Sequence, residues 1–437
     1  MHDQGEVYKE FQEQLLGSDE GWYEVALPWR GNHPPLPSYK QGSLRRLENL
    51  KRKLKRMGVE EAYSEVIEQQ KAEGIVEAAD QPAQGIECYI PHKPVIREEA
   101  ASTKVRVVYD ASAKAHPNAV SLHDCLYPGP TLQNKMWNVL VRSRVHPIAV
   151  VGDLKQAFLQ VRIREADRDA LRFHWKQGEH SEIETLRFTR ALFGLAPSPF
   201  LLSGVIEHHL DSWEACEPHV VAELRKSLYV DDLISGGTTV EEAKELKERA
   251  IEIFEDATFT LHKWQSSEPK LEEHPIQPVD KEGTFAKQQL GEPCAGGPSL
   301  LGLGWSKERD EMIVSFPEWK SDPTKRSILR KLASIYDPLG FVSPVTLLGK
   351  CLYRPVCCEK LAWDAELTGT LKFKWQRWEQ GLPKQMAVKR PLADHRETIQ
   401  EIQLHGFGDA SKWCWCSSVC GCEARIRDYS ATRGSKG

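Results

Sequence analysis

The chain has 437 residues, 40% hydrophobic and 28% charged, with a net charge of −5. That content excludes a disordered chain or a disulfide-stapled miniprotein and predicts about two to four domains with buried cores. The negative balance argues mildly against a nucleic-acid binder, since phosphate neutralisation leaves a basic footprint.

The N-terminal MHDQGEVYKEFQEQ lacks the apolar stretch of a signal peptide, and no run is long and apolar enough to span a membrane. WYEVALPWRGNHPPLPSYK at 22–40 is rich in prolines that favour extended chain. SLRRLENLKRKLKR at 43–56 clusters basic side chains around leucines at helical spacing, which reads as an amphipathic helix packed on its neighbours ahead of a nucleic-acid contact. Residues 60–80 have a helical pattern, and GIECYIPHKPVI at 85–96 reads as an extended strand broken by Pro91 and Pro94. The eleven cysteines are scattered, as free thiols in a reducing compartment would be, so cytoplasmic residence is the expectation.

The chemistry begins with IAVVGDLKQAF at 148–158, where Asp153 ends an apolar run, and continues with SLYVDDLISGG at 227–237. Successive side chains of a strand point to opposite faces, so Asp231 and Asp232 can serve one site only at a bend. A hairpin turn provides it, with Leu228, Val230, Leu233 and Ile234 expected in flanking strands and Gly236 and Gly237 closing the segment. Asp153 then completes a three-carboxylate cluster fit to hold two Mg²⁺ ions about 3.5–4 Å apart, with Mn²⁺ as an alternative. Such a site activates a 3′-hydroxyl and neutralises a leaving pyrophosphate. The bland alternative is a solvated Asx turn.

Further segments follow in order: STKVRVVYDAS at 102–112, FTRALFGLAPSPFLLSGVIEHHL at 188–210, TLHKWQSSEP at 260–269, LLGLGWS at 300–306, DPLGFVSP at 337–344 and HGFGDAS at 405–411. With GDLKQAFLQVRI at 152–163, this set resembles the reverse transcriptases of retroviruses and long-terminal-repeat retrotransposons, most closely the BEL/Pao group. The resemblance implies an α+β right-hand polymerase of fingers, palm and thumb, with an antiparallel palm sheet followed by a truncated ribonuclease H-like start. It divides the chain into a linker after a protease (1–40), fingers (41–130), palm (131–265), a surface insertion (266–299), primer grip, thumb and connection (300–400), and a ribonuclease H-like segment (401–437).

The resemblance also assigns roles. Asp153, Asp231 and Asp232 would be catalytic metal ligands, and Lys104 and Arg106 would lie over the incoming triphosphate, a guanidinium fork suiting phosphate oxygens. Phe158 would sit under the sugar and clash with a 2′-hydroxyl, Gly194 would admit the templating base, and Lys263 would lie near the departing pyrophosphate as a proton donor. Asp409 would be the remnant of a ribonuclease H site, without activity expected from the short tail. The tail's C-x-C-x₃-C-x-C spacing is not a usual structural zinc arrangement. Basic residues Lys325, Arg326, Arg330 and Lys331 read either as phosphate contacts or as a solvated helical face. The partners implied are an RNA or DNA template, a DNA or tRNA primer, dNTPs and other segments of a parent polyprotein, with a virus-like particle as an alternative location. A protease reading lacks its motif, as neither Asp-Thr-Gly nor Asp-Ser-Gly occurs. A competing reading is a decayed or domesticated element that keeps the fold as a nucleic-acid binder without activity.

Overall fold

The computed structural model describes residues 4–96, 105–178, 181–272, 298–319, 322–359, 361–392 and, for the backbone, 399–407 and 419–426. Among these residues the centre is a four-stranded antiparallel sheet. Its strand Ile148–Leu154 is buried almost throughout, as an unbroken apolar run predicts. On one side it pairs with Asp232–Gly237, beyond which lies Leu228–Tyr229, and on the other with Leu261–Ser266.

Helices Pro218–Ser227 and Val240–Asp256 lie against this sheet. The second is amphipathic, burying Ala243, Ala250, Ile253 and Phe254, and Thr239 caps its start by accepting the Glu242 N–H. Glycine lets the helix and sheet close on each other. A Cβ on Gly236 would stand 1.8 Å from the Ile148 carbonyl oxygen, and one on Gly237 2.7 Å from the Ala243 nitrogen.

The expected fingers contain helices Lys40–Met57 and Glu60–Ala72, the hairpin His92–Ile96 with Val105–Tyr109, and Val76–Ala78, which forms a three-stranded sheet with Glu184–Phe188 and Arg172–Trp175 from the expected palm segment. Leu47, Leu50 and Leu54 form the buried stripe of the first helix, in keeping with an amphipathic helix packed on its neighbours. Two histidines sit in this core. His92 accepts the Tyr63 hydroxyl at Nδ1 (2.5 Å) and donates from Nε2 to the His174 carbonyl (2.9 Å), which fixes its tautomer. His174 Nδ1 lies 3.1 Å from Ser43 Oγ, and its ring stacks on Tyr89 at 4.4 Å.

Residues 4–30, within the expected linker at 1–40, carry packed elements, including part of the 22–40 stretch whose prolines favour extended chain. Helix Gln4–Gln14 buries Val7 and Phe11, Val25 and Leu27 are buried, and Tyr23–Val25 runs parallel to Arg162–Ile163. Asp167 accepts both the Leu27 N–H (2.8 Å) and the Trp29 indole N–H (2.7 Å). The proline cluster at 34–37 lies beyond these contacts, in a stretch without regular structure.

A second antiparallel sheet orders Ser299–Leu300, Leu303–Ser306, Glu311–Ser315 and Gln385–Lys389. Helices Lys325–Ala333, Ser343–Cys358 and Gly369–Gln380 lie between the last two of these strands in sequence, although the strands are paired neighbours. The DPLGFVSP segment starts the middle helix: the Asp337 carboxylate accepts the N–H groups of Phe341 (2.9 Å) and Val342 (2.8 Å), and Gly340 takes a φ of 77°. Lys325 and Lys331 are buried here, bonded to the Glu359 carbonyl and the Glu379 carboxylate, so neither belongs to a solvated face.

Wholly buried Arg390 ties this sheet to the first. Its Nε and one Nη2 hydrogen go to Asp310 (2.7 and 2.6 Å), and its other donors go to the carbonyls of Ser143, His146 (2.7 Å) and Pro147 (2.9 Å). All five guanidinium donors are thereby used. The strand Ile399–Phe407 pairs antiparallel with Val419–Ile426. Asp409, Cys414, Cys416 and most of the 266–299 insertion lie outside the described residues.

Two outcomes follow. Asp310→Asn turns an amide donor toward a buried guanidinium and should cost about 3 kcal/mol in urea unfolding. Burial holds the His92 ring at about 4, as it does His174 with the help of charge on Lys40 and His92. Both pKa values are depressed, so the stabilisation is present above about 6.5, the unfolded value, and is lost as pH falls toward 4. Between pH 7.5 and 5 each ring should cost about 2 kcal/mol, and His92→Phe should flatten the slope.

Candidate active site

The hairpin ends at the pair Tyr229–Asp232, which leaves Val230 and Asp231 as a two-residue turn. Val230 has a φ of 59°, the left-handed value that such a turn requires at its first central position and that a β-branched residue resists. Strain of about 1–3 kcal/mol is thereby held at this point. The Leu154 N–H donates to the Asp231 carbonyl (2.8 Å), binding the turn to the end of the central strand.

Asp232 stands directly opposite Asp153 in the antiparallel register. Cross-strand partners share a face, so these carboxylates project together, with Asp231 beside them at the bend. Asp231 and Asp232 are buried. Burial, and then the charges of Asp232 and Asp231, push the Tyr229 phenol up. Beneath the strand, fully buried Ser235 donates to Glu223 Oε1 (2.7 Å). His146, with Ser235 and Ser227, holds the Glu223 carboxyl down to about 2.

On the other side of Asp153 the register of Leu261–Ser266 shifts between His262 and Gln265, and Lys263 takes a φ of 53°. An unbroken strand would send His262 and Lys263 to opposite faces. The bulge brings both to one oxygen: Lys263 Nζ is 3.3 Å and His262 Nε2 3.5 Å from Asp153 Oδ2. Lys263 is thus brought to the Asp153 carboxylate, a pairing that its position in the sequence did not reveal.

The chain turns after Asp153 through Gln156, at a φ of 50°, into the short helix Ala157–Gln160. Phe158 on it is 1% exposed and packs edge-on against Phe193, whose ring is 37% exposed (centroids 4.5 Å, interplanar 65°). Gly194 has a φ of 97°, and a Cβ there would stand 3.0 Å from the Tyr109 carbonyl oxygen. Its own carbonyl lies 2.5 Å from His123 Nε2. Arg106 is half-buried on Val105–Tyr109, paired with Val95. Lys104 lies outside the described residues. Sequence reasoning also missed Tyr336, which donates to the Leu301 carbonyl (2.7 Å) in the turn of the LLGLGWS hairpin and reaches Met136 Sδ (3.0 Å).

The donor set suits a divalent cation. Three carboxylates are hard oxygen ligands for Mg²⁺ or Mn²⁺, and like charges directly opposite each other in a sheet cost stability that a cation between them recovers. Among the described residues no three His, Cys, Asp or Glu side chains are already gathered into a metal cage. Among the described residues, the Lys263 ammonium lies 3.3 Å from Asp153 Oδ2.

Residues 108–267 match the family described as Reverse transcriptase (RNA-dependent DNA polymerase), and residues 324–421 match Pao retrotransposon-like RNaseH-like domain. The Gag-Pol polyprotein of Gibbon ape leukemia virus is 33% identical over 94 residues, 22% of this chain and 5% of that protein. Among solved structures, the prototype foamy virus protease-reverse transcriptase CSH mutant has a TM-score of 0.38 and 14% identity, covering 60% of this chain and 30% of that one. The foamy viral protease-reverse transcriptase in complex with RNA/DNA hybrid has a TM-score of 0.35 and 17% identity, covering 54% and 25%. The chain spans well under half the length of each of these relatives.

Gly236→Ala should force Asp232–Gly237 away from Ile148–Leu154. The expected outcome is a loss of about 3 kcal/mol or more in thermal or urea unfolding.

Proposed function

We propose that this chain, with a reverse transcriptase domain at 108–267 and a Pao retrotransposon-like RNaseH-like domain at 324–421, is the RNA-directed DNA polymerase segment of a BEL/Pao element's polyprotein. The observation that carries the reading is the register that sets Asp153 opposite Asp232, with Asp231 in the adjoining turn. In this reading the primer 3′-hydroxyl attacks the α-phosphate of a bound dNTP and pyrophosphate leaves. Two divalent ions, when bound, lower the hydroxyl pKa and offset charge on the triphosphate. The protein's work is positioning: Asp153, Asp231 and Asp232 fix the charge at the end of a rigid sheet, and the Arg106 fork meets phosphate oxygens. Phe158 is enclosed by core packing and by the more exposed Phe193 ring, so in this reading it acts as the rigid floor of the sugar site, one that cannot recede from a 2′-hydroxyl. A template–primer duplex is the proposed macromolecular partner. The Pao-type domain is not proposed to add ribonuclease H or protease activity to this chain.

The test is extension of a labelled DNA primer on poly(rA) with dTTP and Mg²⁺. Asp231→Asn or Asp153→Asn should lower turnover by about 10³-fold or more while the melting curve stays cooperative. Extension retained in either variant overturns the assignment. Phe158→Val should raise ribonucleotide use relative to deoxynucleotide by about 10- to 200-fold, scored as the ratio of kcat/KM values. An unchanged ratio removes the gate role.

A further inference from the structure

Asp153 is the one aspartate of the cluster shared by both halves of the sheet, with Asp232 opposite it on one strand and His262 on the other. Its Oδ2 is where a positive charge already sits, for Lys263 Nζ is 3.3 Å away and His262 Nε2 3.5 Å. This contact is built rather than incidental. It requires the register shift between His262 and Gln265, and it requires Lys263 to hold a φ of 53° that non-glycine residues seldom adopt. Trp264, on the same bulge, is buried against Gly152, so the backbone that presents Lys263 is pinned from behind.

We propose that Lys263 is a built-in counter-cation for Asp153 that a divalent ion must displace, so that metal entry and release of the Lys263 ammonium are one coupled event. This rests on the reading of Asp153 as a metal ligand and extends it to the order of events. An ammonium and a divalent ion cannot both occupy Oδ2 at close range, because their charges repel at that distance. Coupling between two ligands of one site is reciprocal: the factor by which Lys263 weakens metal binding is the factor by which metal weakens the Lys263–Asp153 pair. Before metal arrives, the ammonium offsets the mutual repulsion of Asp153 and Asp232 and keeps the sheet end paired. Once displaced, it stands free beside the triphosphate site at the moment that site is being filled. The strained bulge keeps the lysine close, so it moves by side-chain rotation alone.

The experiment is an Mn²⁺ titration of the full chain without nucleotide, in which free Mn²⁺ is read by electron paramagnetic resonance. The variants are Lys263→Met, Lys263→Arg and Asp153→Asn. Lys263→Met should bind Mn²⁺ about tenfold more tightly than the native chain, and Lys263→Arg should stay near native. A native or weaker affinity in Lys263→Met overturns the proposal. Asp153→Asn separates the two readings: if it leaves Mn²⁺ binding intact, the metal-ligand assignment fails, whereas weakened binding there with no effect of Lys263→Met sinks the counter-cation alone. Acylation of the native chain with an amine-reactive ester, mapped by mass spectrometry, gives a second readout. Modification of Lys263 should rise several-fold on adding Mg²⁺ and be high without Mg²⁺ in Asp153→Asn. Modification that is insensitive to Mg²⁺ also overturns the proposal.

Discussion

The constraint on which this molecule depends is the direct opposition of two carboxylates, Asp153 and Asp232, at the end of a buried antiparallel pair. Left alone, that pair would splay. The rest of the central sheet opposes the tendency: an apolar strand covered on both faces, glycines at 236 and 237 that let strand and helix close, a backbone hydrogen bond from Leu154 to Asp231, and a lysine delivered by a bulge. Stability is given up at Val230 and at the acidic cluster, and recovered in the packing beneath them.

The same logic extends outward through Arg390. A buried guanidinium is tolerable only when its donors are met and its charge is balanced, and here the partners come from two places, Asp310 in the turn before Glu311–Ser315 of the second sheet and the turn at 143–147 that leads into the central strand. Neither sheet can shift against the other without stranding that charge. Arg144 adds to the junction by donating to the carbonyls of Arg390 and Lys389, and Tyr336 ties the LLGLGWS hairpin turn to Met136.

Much of the site was legible in the sequence because its signals are local. Asp153 ends an apolar run, and the Tyr-Val-Asp-Asp tetrapeptide lies between strand-forming residues and two glycines, so period and turn chemistry sufficed to place three carboxylates on a strand and a hairpin. What stayed hidden depends on pairing between distant segments. The bulge that aims Lys263 is a property of its register with Ile148–Leu154, and Arg390 finds Asp310 across 80 positions of chain. Burial was equally hidden: the basic pattern around 325–331 gives no sign that Lys325 and Lys331 face inward while Arg326 pairs with Asp364 in solvent. The N-terminal segment was misread because its prolines, at 34–37, dominated a stretch whose packed part is the apolar Val25 and Leu27 before them.

The second sheet has a mechanical consequence. The helical arm leaves one strand at Ser315 and returns on its neighbour at Gln385, and these two residues are partners. Drawing the two ends of the arm apart therefore opens the pairs one after another, in the unzipping direction rather than in shear. The pairs run from Ser315–Gln385 down to Glu311–Lys389, and the next step along both strands is Asp310 and Arg390, the buried clamp that holds both sheets. Such opening proceeds pair by pair and meets a built-in stop at Asp310 and Arg390 before it reaches the central sheet.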